Sequence, residues 1–65
     1  MNDQILQNIW NYLSSQNKTS SDFDTWKENV ATNGDIQKNI HSYLVSQNKT
    51  SSGFNTWLSN TGLSS

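Results

Sequence analysis

An internal duplication constrains this chain more than any other feature. Displaced by 31 positions, residues 5–29 fall on residues 36–60, and 16 of the 25 pairs are identical. The longest identical run is residues 15–21 on residues 46–52. Tyr12 and Leu13 match Tyr43 and Leu44, and Phe23 and Trp26 match Phe54 and Trp57. A fixed period of this length marks one supersecondary unit used twice.

Within each unit the apolar residues follow a helical period. Ile5, Ile9, Tyr12 and Leu13 lie on one face of a helix, and Ile36, Ile40, Tyr43 and Leu44 repeat it. A polar block interrupts the pattern. Phe23, Trp26 and Val30 then define a second, shorter helix, as do Phe54, Trp57 and Leu58 in the second copy. These fourteen residues are the expected core. Ser20 or Ser21, and Ser51 or Ser52, have the chemistry of N-caps for the short helices, and Asp22 and Asp24 suit their first turn. Asn2 or Asp3 can cap the first helix, Asn33-Gly34 reads as a stop, and Asp35 can cap the third helix. The expectation is an all-α chain with helices at about 3–15, 21–31, 35–47 and 52–61. They form two tandem αα-hairpins in a small four-helix array, one domain over residues 1–65 with units 3–33 and 34–63. Two hairpins can pair compactly or stack as a short solenoid, although solenoids need about three units for stability.

Composition bears on function by exclusion. Ser, Thr, Asn and Gln fill 32 of 65 positions, a bias toward disorder that the helical ordering of the apolar residues opposes. There is no cysteine and one histidine, so disulfides and an intrachain zinc site are not expected. Four lysines stand at 18, 27, 38 and 49, with no arginine and a net charge of −1. Nucleic-acid binders carry basic patches, so that class of partner is disfavoured. No segment has the ~18–20 apolar residues of a membrane span. The start, Met1-Asn2-Asp3-Gln4, lacks the basic and apolar regions of a secretory signal. Cytoplasmic synthesis is the expectation.

Nor does catalysis find a foothold. His41 has no evident nucleophile or acid held beside it. The carboxylates are not repeated: Asp22, Asp24 and Glu28 face Gly53, Asn55 and Ser59. No glycine-rich phosphate loop is present, and so short a helical chain leaves little room for a ligand pocket. No cofactor, metal or small-molecule substrate is expected. The Asn17-Lys18-Thr19 and Asn48-Lys49-Thr50 triplets match a glycosylation pattern, but they serve better as loop chemistry, because Asn tolerates the left-handed conformation that ends a helix.

The two units differ at a few informative places. Leu6 faces Gln37, Trp10 faces His41, Ser14 faces Val45 and Lys27 faces Leu58. Leu6 and Trp10 lie at i and i+4 and widen the apolar stripe of the first helix. Either they cover the junction between the hairpins or they dock a partner. They are the candidate partner-binding residues, because tryptophan is enriched at interface hot spots.

The order Trp10-Asn11-Tyr12-Leu13, Asn17-Lys18-Thr19-Ser20, then Asp22 to Trp26 resembles a short tandem helical repeat of virion structural proteins of tailed bacteriophages, tail-associated ones included. Those repeats run Tyr-Leu, a Gly-x-Thr-Gly turn, then an Asp-containing helix with Trp. Here Asn17 and Ser20, and Asn48 and Ser51, stand for the turn glycines, and Gly53 replaces the second Asp. The resemblance implies a structural role in a virus particle and assigns no site residues. The leading expectation is a non-enzymatic structural or assembly protein that packs helices with itself or with a larger partner. An adaptor or inhibitor docking one protein through Leu6 and Trp10 is the alternative, followed by a helix-turn-helix regulator.

Overall fold

A computed structural model describes residues 1–63. All regular structure among them is helical: α1 (Asp3–Ser15), α2 (Phe23–Ala31), α3 (Gly34–Ser46) and α4 (Phe54–Thr61). The long helices open on asparagines 31 positions apart. Asn2 Oδ1 accepts from the Ile5 amide at 3.2 Å, and Asn33 Oδ1 accepts from Asp35 and Ile36 at 3.0 and 3.2 Å. Asn33 therefore holds the cap expected of Asp35, and Gly34 begins a helix where a stop was expected.

Both long helices also end alike. Asn17 and Asn48 adopt the left-handed conformation at φ 57°. The next amide, Lys18 or Lys49, reaches back to Leu13 or Leu44 oxygen at 2.9 or 2.8 Å, which closes a Schellman turn. The short helices start two residues later than expected, at Phe23 and Phe54, with Asp22 and Gly53 as N-caps and no side-chain capping bond. The serines are not caps because they belong to the preceding turn. There Thr19 Oγ1 accepts from the Ser21 amide at 3.4 Å and Thr50 Oγ1 from Ser52 at 3.3 Å.

The helices close into a ring. α1 packs on α2 and α4, and α3 packs on α2 and α4. Across the middle, Tyr12 of α1 and Tyr43 of α3 stack with centroids 6.2 Å apart. Each Tyr ring carries the other hairpin's lysine, Lys49 at 4.7 Å from Tyr12 and Lys18 at 5.1 Å from Tyr43. This reciprocity is that of an isologous dimer built into one chain. The radius of gyration, 10.6 Å, equals the ~10.7 Å of a compact chain of this length. The hairpins therefore pair compactly and do not stack as an open solenoid.

The buried core is Leu6, Leu13, Trp26, Val30, Leu44, Trp57 and Leu63. Of the expected core, Ile9, Tyr12, Phe23, Ile36, Ile40, Tyr43, Phe54 and Leu58 are half-buried and pack against that cluster. Ile5 is also half-buried, but it lies outside the cluster, at the rim of a groove.

The ring has two seams between hairpins. At the first, the chain passes from α2 through Thr32 and Asn33 into α3. Gln37, buried, donates its amide to Val30 oxygen at 2.8 Å. At the second, the two ends of the described chain meet: the Asn2 amide donates to Thr61 oxygen at 2.9 Å. The repeat mates of Gln37 and Val30 are Leu6 and Thr61, both with no exposed surface. Thr61 satisfies its hydroxyl on Trp57 oxygen at 3.0 Å. Gly62, left-handed at φ 76°, turns the chain back, and Leu63 bonds Leu58 oxygen at 3.0 Å and enters the core. A Cβ on Gly62 would stand 2.5 Å from Met1 Cα, so the N-terminal residues lie directly on this glycine.

Candidate functional site

The ring geometry corrects the expected docking pair. Leu6 is fully buried and seals the second seam, so it cannot meet a partner. Trp10 is half-buried and serves its own hairpin. Its indole nitrogen donates to Ser21 oxygen at 3.1 Å, and its ring meets Phe23 edge-on at 6.1 Å. His41 does the same work in the second hairpin. Its Nε2 lies 2.8 Å from Ser52 oxygen, and its ring meets Phe54 edge-on at 5.5 Å. A carbonyl only accepts, so Nε2 carries the proton. Trp10 and His41 thus fill the same place in the two copies, each a flat ring with one N–H on the matching serine carbonyl. Their alignment across the repeat was legible in the sequence, but the shared acceptor was not.

Two grooves flank the Tyr12–Tyr43 stack and are repeat mates of each other. The larger, about 360 Å³, has Asn8, Ile9 and Tyr12 of α1 on one side and Leu44, Lys49 and Trp57 on the other. It extends along α4 past Asn60 and Thr61 to Ile5. The smaller, about 200 Å³, is lined by Leu13, Lys18, Asn39, Ile40 and Tyr43. The larger is an open, mainly apolar cleft, more generous than the chain's length suggests. Sequence reasoning missed it because each wall comes from a different hairpin, so no local motif announces it.

The electrostatics of this face are simple. Tyr12 is held above its ordinary value of 10.0, first by partial desolvation and then by the adjacent Tyr43 phenol. It is therefore a neutral hydroxyl at physiological pH, 3.5 Å from Gln47 Oε1. Lys27 pairs with Asp3 at 3.2 Å on the α1–α2 side of the ring. Among the described residues, no three His, Cys, Asp or Glu gather as a metal site, and no helix is long and apolar enough to cross a membrane. The larger groove thus combines an apolar floor, an amide rim at Asn8 and Asn60, and one ammonium at Lys49.

No protein-family model matches the chain, and no curated protein or solved structure matches it either.

Proposed function

We propose that the chain is a non-enzymatic protein-binding module of the structural or assembly kind, and that the larger groove is where it engages a bigger partner. One observation carries this reading: closing the ring buries Leu6, Leu63 and Val30 but leaves an open apolar cleft between α1 and α4. Grooves between helices are a common seat for an apolar anchor of a partner protein. Docking a partner is favoured over self-packing, because the large hydrophobics well exposed among the described residues are Met1 and Val45 only, and they form no broad patch. Lysine use also argues against nucleic acid as the partner. Lys18 and Lys49 lie over tyrosine rings and Lys27 faces Asp3, so they do not make a stripe.

The finer form of the proposal is a part of a virus particle. Its support is the resemblance of the Tyr-Leu, Thr-turn and Trp-helix order to repeats of phage virion proteins.

A displayed random-peptide library selected against the full chain tests the binding reading. Selected peptides should move the amide resonances of Ile9, Leu44 and Asn60 and the Trp57 indole. An exhaustive selection that returns no specific binder overturns the reading. For the finer form, mass spectrometry of purified particles from the virus or prophage encoding the chain should detect it at stoichiometric level, and its absence overturns that form alone.

A further inference from the structure

The two grooves are geometric mates, yet their electrical surroundings differ. The first unit, 3–33, holds Asp3, Asp22, Asp24 and Glu28 against Lys18 and Lys27, for a net −2. The second, 34–63, holds Asp35 against Lys38 and Lys49, for a net +1, and no carboxylate side chain follows Asp35. The repeat mates of Asp22, Asp24 and Glu28 are Gly53, Asn55 and Ser59. Phe23 and Trp26 recur in α4 as Phe54 and Trp57, whereas neither α4 nor its preceding turn carries an acid.

The larger groove takes one of its walls from that acid-free stretch. Its α4 wall and the turn with Lys49 and Thr50 carry no carboxylate. The α1 wall has one, Asp3, and that side chain is turned to Lys27 of α2. Lys49 is exposed at the rim. Its contact with the Tyr12 face leaves the ammonium hydrogens available, because a ring face holds the charge without exhausting its donors. Across the stack, the smaller groove has Lys18, but the turn and helix that follow carry Asp22, Asp24 and Glu28.

We infer that the larger groove selects an acidic segment of its protein partner, seating an apolar side chain between Ile9, Leu44 and Trp57 and a flanking carboxylate on the Lys49 ammonium. The inference rests on the protein-binding reading and adds the partner's chemistry. The smaller groove is not expected to be a second copy of the site: its volume is little more than half, and the turn and helix that follow Lys18 carry three acids.

The test uses two synthetic peptides with identical apolar anchors, taken from the library selection, flanked by Glu in one and Lys in the other. Fluorescence anisotropy on the full chain at low salt should show the Glu peptide binding roughly three- to tenfold tighter, the size of an exposed ion pair plus steering. High salt should erase the difference. Lys49→Met should abolish the preference, and Lys49→Glu should reverse it. Lys18→Glu, at the repeat-mate position, should leave it unchanged, with far-UV circular dichroism reporting the fold of each variant. Equal or tighter binding of the Lys peptide overturns the inference while leaving the docking reading intact. So does an equal response to Lys18→Glu and Lys49→Glu, or chemical shifts centred on Leu13 and Ile40.

Discussion

At one seam of the ring the polypeptide runs through from α2 to α3; at the other it meets its own two ends. The first seam tolerates a polar pair, because the linker holds the helices together and the Gln37 amide finds Val30 oxygen. The second has no covalent link. Its place is taken by Leu6 in full burial, a Thr61 that satisfies its own hydroxyl, and Leu63 folded in behind a left-handed Gly62. The Asn33 amide lies 3.4 Å from Val30 oxygen, and its mate Asn2 lies 2.9 Å from Thr61 oxygen. The same bond is thus made once within the linker and once across the gap. A duplicated hairpin becomes a closed molecule when the seam that lacks a linker gains apolar contacts, and Leu6 and Leu63, which stand where the other copy has Gln37 and Thr32, supply them.

The sharpest way to probe the contrast is to remove the apolar filler. Leu6→Ala should cost about 2–5 kcal/mol, the range for a fully buried leucine. That is a large part of the roughly 3–10 kcal/mol expected for 65 residues. Gln37→Ala at the linked seam should cost less, about 0.5–1.5 kcal/mol for one lost hydrogen bond, because Val30 oxygen keeps the Thr32 and Asn33 amides. Urea unfolding of the two variants compares them directly; equal losses, or a larger loss at Gln37, would break the distinction between the seams.

A second comparison pairs two glycines. Gly62→Ala should destabilise by about 1–3 kcal/mol, since it meets both a left-handed backbone and the backbone of Met1 and Asn2. Gly34→Ala meets open space at the start of α3 and should be neutral or stabilising by up to about 1 kcal/mol. Thermal melts read both signs.

The smallest effect is alkaline. The fold holds Tyr12 protonated more tightly than the unfolded chain does. Its contribution is therefore complete below pH 10 and is lost as pH rises through the raised folded value. Stability should fall above pH 10, and Tyr12→Phe should flatten that fall. A steeper fall in Tyr12→Phe would mean that the phenol is not the group responsible.

Much of the ring is written in the sequence. The 31-residue period defines the two hairpins, and α1 lies where the apolar spacing places it, because periodicity and caps agree there. The left-handed Asn17 and Asn48 are readable for the same reason: local chemistry decides them. Capping of the short helices is not, because Ser21 and Ser52 carbonyls are acceptors for Trp10 and His41, a long-range demand that no serine run reveals. Leu63 falls outside the expected core, although a glycine ending a helix often precedes a residue that folds back onto it. Leu6 reads as either a junction residue or a docking residue, because sequence gives the width of an apolar face but not what covers it. Ring closure supplies the cover, and it creates the groove at the same time.

Closure of the ring by one chain alone is tested by the unfolding temperature measured by far-UV circular dichroism over a hundredfold range of protein concentration, with sedimentation equilibrium on the same samples. A closed ring predicts a monomer whose helicity and melting temperature do not change with concentration. A melting temperature that rises with concentration, alongside a dimer in the sedimentation data, would contradict it and show that the second seam is sealed only by another chain.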